Sequence, residues 1–206
     1  MNKALSKYGI VVRHDMTYKL NTNIFNNIET EAQAYCLGCF YFHTNGRIQL
    51  GAHNIEILCI ISKIIEYNGP IKVYNNIREI NISQKDFLNT LNFDQNVLPN
   101  ISQYLIQHFV RGIYDMYGSI YLVKNKYINI NIVQQENFLQ CLRNWLKLNL
   151  DIDTKHYYRY SHTNTIQMMI TRTNHAKIFL NWMYRDANYY LTRKFSKYQE
   201  YLKKGV

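Results

Sequence analysis

The segment Gln107-His108-Phe109-Val110-Arg111-Gly112-Ile113-Tyr114-Asp115-Met116 has a worn counterpart earlier in the chain. It is Ala34-Tyr35-Cys36-Leu37-Gly38-Cys39-Phe40-Tyr41-Phe42, with Gly38 opposite Gly112 at an offset of 74 residues. Both stretches read as helices, and each carries a glycine in its middle. A mid-helix glycine costs roughly 1 kcal/mol against alanine. Two at equivalent places need a reason, and close approach of two helices supplies one. Gly38 and Gly112 are therefore expected at an interface between two repeats.

Working outward, apolar residues at helical spacing mark 30–43, 54–67, 84–92, 102–116, 135–149 and 174–203, the last broken near Arg185-Asp186. The stretch 54–67 puts Ile57, Ile60, Ile61, Ile64 and Ile65 on one stripe, and Gly69-Pro70 ends it. Between the helices the period falls to two. In Tyr127-Ile128-Asn129-Ile130-Asn131-Ile132 the isoleucines point one way, the tyrosine and asparagines the other. Arg47–Leu50, Ile71–Tyr74 and Ile166–Ile170 alternate likewise, with turns at Asn75-Asn76, Lys124–Lys126 and Ser161–Asn164. The order is helix, strand, hairpin with a helix between, helix, twice over. The expected fold class is α+β, with antiparallel sheets that pack one face on helices and leave the other polar and wet. We divide the chain into a lead-in (1–29), a first repeat (30–101) and a second repeat with basic C-terminal helices (102–206).

Composition narrows the partners. Lys and Arg number 24 against 14 Asp and Glu, a net charge of +10 among 206 residues. Residues 1–30 hold four basic and two acidic side chains, 31–154 ten of each, and 155–206 ten basic and two acidic. The excess thus lies outside the middle, mostly in the last quarter, and points to a polyanionic partner. With 47% apolar residues and only two prolines, the chain can bury a sizeable core. The N-terminus lacks the apolar run of a signal peptide and no span of about 18 apolar residues occurs, so a secreted or membrane protein is not expected. The abundant Asn, Ile, Lys and Tyr have AT-rich codons, which suggests a low-GC genome: bacterial, phage, plasmid or organellar. The expected place is the cytoplasm, beside the nucleoid. Four cysteines with no disulfide spacing fit a reducing compartment.

These residues resemble the LAGLIDADG homing endonucleases, in particular the monomeric type with two repeats. AYCLGCFYFHTNGRI resembles the first motif of that family and HFVRGIYDMYGSIYL the second. The flanks YKLNTNIFNNIETEAQAY and FLNWMYRDANYYLTRKFSKYQEYL extend the likeness over about residues 18–203. The resemblance implies two αββαββα units packed through the motif helices, with saddle-shaped sheets astride duplex DNA. It also implies a carboxylate closing each motif helix to hold Mg²⁺ at the scissile phosphates, a hard cation that wants oxygen ligands. The family's acid lies five residues after the motif glycine. Here those positions are His43 and Tyr117. No Asp or Glu lies between Glu31 and Glu56, and Asp115 is the sole acid between Asp94 and Glu136. Asp115 sits two residues early, about 200° away around the helix. The expectation is a scaffold without nuclease chemistry and without a metal; the alternative is that His43 and Asp115 rebuild a metal site.

Cys36-x-x-Cys39 with His43 one turn on could hold zinc or act in redox, or could simply pack. Tyr117 could attack DNA covalently only inside a cluster of Arg and His, and otherwise packs or touches phosphate. No phosphate-loop, dinucleotide or esterase motif is present. Tyr157, Tyr158 and Tyr160 around Arg159 could stack on bases. By alternation Arg47, Gln49, Lys72, Tyr74, Asn129, Asn131, Gln167 and Thr171 face outward, where Asn and Gln can pair with adenine and Arg with guanine. Arg185, Arg193, Lys194 and Lys197 are expected on phosphates. The expected function is sequence-specific binding of double-stranded DNA by a cleavage-deficient monomer that acts as a transcriptional or element-specific regulator. The alternatives are an active Mg²⁺-dependent endonuclease, an intron maturase that binds RNA, and an interaction module that has lost nucleic acid.

Overall fold

Thr30 starts the first helix. Its Oγ accepts the Gln33 N–H at 3.3 Å, while Gln33 Oε1 accepts the Thr30 N–H at 3.0 Å, a reciprocal cap. The computed structural model describes residues 18–42, 48–52, 54–74, 77–91, 93–124, 127–158 and 165–203. In chain order its elements are α1 (Glu31–Phe40), β1 (Ile48–Ala52), α2 (Ile55–Ile64), β2 (Lys72–Tyr74), β3 (Ile77–Ile82), α3 (Lys85–Thr90), α4 (Gln103–Tyr117), β4 (Gly118–Val123), β5 (Tyr127–Gln135), α5 (Glu136–Leu150), β6 (Lys155–Tyr158), β7 (Thr165–Ile170), α6 (Thr173–Tyr184) and α7 (Thr192–Lys203). Two antiparallel sheets result, one ordered β1-β3-β2 and the other β4-β5-β7-β6. Both show the alternation read from sequence. Ile128, Ile130, Ile132, Ile166, Met168 and Ile170 are buried against α5 and α6, and each such side chain is worth about 1.5–3 kcal/mol.

The motif helices α1 and α4 pack against each other at their glycines. A Cβ on Gly38 would lie 2.1 Å from Phe109 O, and one on Gly112 would lie 2.1 Å from Tyr35 O. Each clash is with the carbonyl three residues before the opposite glycine, so the contact obeys a two-fold relation. The repeats are nonetheless unequal. The second reads α4-β4-β5-α5-β6-β7-α6, the αββαββα order implied by the resemblance. The first has three strands among the described residues instead of four.

A second joint crosses the repeats through charge. Arg111 is fully buried in α4, with Nε donating to Tyr189 O at 2.7 Å, Nη1 to Met183 O at 2.6 Å and Nη2 to Glu31 Oε1 at 2.5 Å. Glu31 also accepts the backbone N–H groups of Asn188 and Tyr189. Asp115 Oδ2 accepts the N–H of Leu191 at 2.9 Å and the hydroxyl of Tyr35 at 2.9 Å. Glu56 Oε1 accepts from the N–H and the hydroxyl of Thr192. The strap 188–192 leading into α7 is thus held by carboxylates from both repeats, which satisfies backbone groups that have no sheet or helix partner.

Two groups in this joint titrate in opposite directions. Burial raises the Asp115 carboxyl from 3.8 to about 6, against the pull of Lys194 and the Leu191 N–H. Burial, helped by Arg111, lowers His108 from 6.5 to about 4. Asp115 therefore lends stability below about pH 4 that is lost as pH rises through 6. His108 lends stability above about pH 6.5 that is lost as pH falls through 4. Each shift is worth about 3 kcal/mol, so the two nearly cancel between pH 4 and 6.5. Asp115→Asn should make stability rise with pH across that window, and His108→Gln should make it fall. Denaturant midpoints at pH 4, 5, 6 and 7 read both slopes, and parallel slopes in the two variants would refute the assignment.

Candidate nucleic-acid interface

The outer face of the second sheet is built by strand register. Ser119 pairs with Asn131, Asn131 with Met169, and Met169 with Lys155, one row across four strands. Tyr121 with Asn129 forms a row on one side; Val133 with Gln167 forms one on the other. Adjacent rows are two residues, about 7 Å, apart along the strands. Ser119 Oγ donates to Asn131 Oδ1 at 2.6 Å, which fixes the asparagine amide with its nitrogen as the remaining donor. Asn129, Asn131 and Gln167 are all half-buried, as is Thr171, which follows the end of β7. Among the described residues no carboxylate lies on this face. Its donors and acceptors are amides, hydroxyls and one exposed lysine, Lys155.

The first sheet presents less. Lys72 is exposed and lies beside Glu79 in register, and Glu79 Oε1 accepts Asn81 Nδ2 at 3.0 Å. The backbones of Gln49 and Tyr74 lie in β1 and β2, but their side chains are outside the described set, as are Arg47 and Arg159 entirely. Tyr157 and Tyr158 contribute backbone to β6, with Tyr157 opposite Gln167; their side chains and Tyr160 are outside the described set.

Lys194 corrects an expectation. It is 5% exposed, and its Nζ donates to the carbonyls of Tyr114, Asp115 and Gly118 at 2.5, 2.9 and 2.7 Å. All three protons are used to cap the negative end of α4, so the residue anchors α7 rather than meeting phosphate. Burial lowers its pKa to about 8, against the pull of Asp115. Arg185, Arg193 and Lys197 are exposed. The helical period of 192–203 could have flagged Lys194, which lies four residues before Tyr198 on the buried side.

At the foot of α4, Tyr117 is the last helical residue and its ring meets Phe42 edge-on, centroids 5.8 Å apart. A shallow cleft beside it is lined by Tyr117, Gly118, Ser119, Asn131, Val133 and Thr165. Burial pushes the Tyr117 hydroxyl well above its ordinary range, which disfavours a phenolate nucleophile. Among the described residues, the position that closes α4 supplies no carboxylate for the Mg²⁺ that the resemblance implies. The Gly112+5 position offers a phenol, and the Asp115 carboxylate accepts from Tyr35 and Leu191 in the helix interface. His43 lies outside the described residues. Cys36 and Cys39 are fully buried in α1, and Cys39 Sγ donates to Gly112 O at 3.7 Å. Burial raises both thiols, so they pack as small apolar groups.

No family model and no curated protein matches the chain in sequence. Solved structures do match it. The N-terminal LAGLIDADG domain of DUF199/WhiA superposes with a TM-score of 0.55, covering 79% of this chain and 89% of that one at 15% identity. Full-length DUF199/WhiA from Thermatoga maritima gives 0.54, covering 90% of this chain and 65% of that one at 15% identity. I-DmoI, a homing endonuclease determined in complex with DNA and Mn, gives 0.53 at 14% identity and is covered over 100% of its length by 82% of this chain. The fold is the LAGLIDADG fold. Among the described residues no helix is long and apolar enough to cross a membrane.

Proposed function

We propose that this protein binds double-stranded DNA sequence-specifically through the outer faces of its two sheets and does not cut it. The observation that carries this reading is the second sheet's outer face, where Asn129, Asn131 and Gln167 stand in three adjacent rows on a surface without carboxylates among the described residues. Asn and Gln amides present the donor–acceptor pair that adenine's major-groove edge requires. The net charge of +10 supplies the sequence-independent attraction to phosphate. I-DmoI, of the same fold, was determined in complex with DNA. The engagement of Asp115 and the phenol at position 117 support a lack of cleavage. A binder of this kind would act as a transcriptional or element-specific regulator.

Gel shifts with duplexes selected from random DNA, against structured RNA, test the partner; preference for RNA would overturn the reading. A plasmid-nicking assay in Mg²⁺ and Mn²⁺ tests cleavage, and specific cutting by clean protein would refute that part. Asn131→Ala and Gln167→Ala should each cost about 1–3 kcal/mol of discrimination between selected and random duplex. Arg193→Ala should weaken all sequences alike and flatten the salt slope by about one.

A further inference from the structure

Resting on the DNA-binding reading, we infer that recognition is lopsided: the second repeat reads the bases of its half of the site more closely than the first reads its own. Ile82 and Ile170 are equivalent, each three residues before the next helix, at Lys85 and Thr173. Ile48 pairs with Ile82 and Ile130 with Ile170, so β1 occupies the place of β5. From the motif glycine to this strand the chain takes 10 residues in the first repeat, Gly38 to Ile48, and 18 in the second, Gly112 to Ile130. The second repeat uses the extra eight to build β4 and its turn. The first repeat is shorter by that amount, and among the described residues it shows no strand in the place of β4.

The consequence falls on the outer face. β4 contributes Ser119 and Tyr121 beside Asn131 and Asn129, and Ser119 orients the Asn131 amide. The first sheet has no described counterpart to these residues. Its Asn81 amide is instead bonded to Glu79, a carboxylate beside Lys72. A carboxylate on that face repels phosphate and lowers the local positive potential. Among the described residues the first sheet therefore presents fewer base-reading groups than the second.

The test is selection of bound duplexes from random DNA with the intact protein, read as base preference per position, followed by binding to mutated sites. Preference should concentrate in one half of the footprint. Scrambling that half should weaken binding at least 100-fold, and scrambling the other less than 10-fold. Asn129→Ala with Gln167→Ala should relax preference within the strong half, while Asn81→Ala leaves it unchanged. Equal preference in both halves, or relaxation of the strong half by Asn81→Ala, would overturn the inference and leave DNA binding standing. No enriched duplex at all would instead defeat the DNA-binding reading on which it rests.

Discussion

Gly112→Ala should destabilise the protein by about 2 kcal/mol or more, although alanine is the better helix former. The added Cβ would stand 2.1 Å from Tyr35 O and 3.1 Å from Gly38 Cα. Neither neighbour is a side chain that can swing aside, so α1 and α4 must separate. Overpacking costs about 1–3 kcal/mol, occasionally more, and a main-chain obstacle puts this site at the upper end. The gain in helix propensity offsets roughly 1 kcal/mol. Gly38→Ala meets the mirror obstacle at Phe109 O and should behave alike. The double variant should cost less than the sum, because helices already parted make room for the second methyl. Denaturant unfolding measures all three. A midpoint unchanged or raised in Gly112→Ala would contradict the close approach.

Removing the carboxylate that joins the repeats should cost more. Glu31→Ala leaves the Arg111 guanidinium buried without its counter-charge and strips acceptors from Asn188 and Tyr189. Breaking a buried ion pair by deleting one partner costs about 3–5 kcal/mol. Glu31→Gln keeps an oxygen in place and should lose less. The strap should open as well, so amide exchange at Asn188 and Tyr189 should quicken far more than at Ile130 in the core of the second sheet. Uniform acceleration across the protein would mean that Glu31 supports the whole fold without holding that segment.

The elements legible in the sequence were those with a clean period and a long run. Ile128, Ile130 and Ile132 announced β5, and the mid-helix glycines announced the contact of α1 with α4, because only a close approach explains them. β3, β4 and β6 were implied only by the hairpin turns beside them and showed no clean period of their own. Ser119-Ile120-Tyr121-Leu122 follows directly on α4 with no turn residue except Gly118, and Ile77-Arg78-Glu79 carries charges on both faces. The outward residues of the second sheet followed from alternation, since pleating fixes every other side chain once one is placed. The row mates Ser119, Tyr121 and Lys155 did not, because register between strands is a tertiary fact. Charge misled at Lys194, where net basicity suggested phosphate and the helix end of α4 claimed the ammonium. The strap was invisible for the same reason: Glu31, Glu56 and Asp115 look like scattered acids until the chain returns to them.

That return has a consequence for how the protein is made. Glu31 accepts from Asn188, 157 residues further along the chain. At about 5–20 residues per second, a ribosome needs roughly 8–30 s to deliver that partner after Glu31 has been made. Through about the first half of that interval the nascent first repeat carries a motif helix whose glycine face has no mate and whose carboxylate lacks Arg111, 80 residues on. Vectorial synthesis therefore completes the joint between the repeats late, when the segment after α6 has emerged and closes on Glu31.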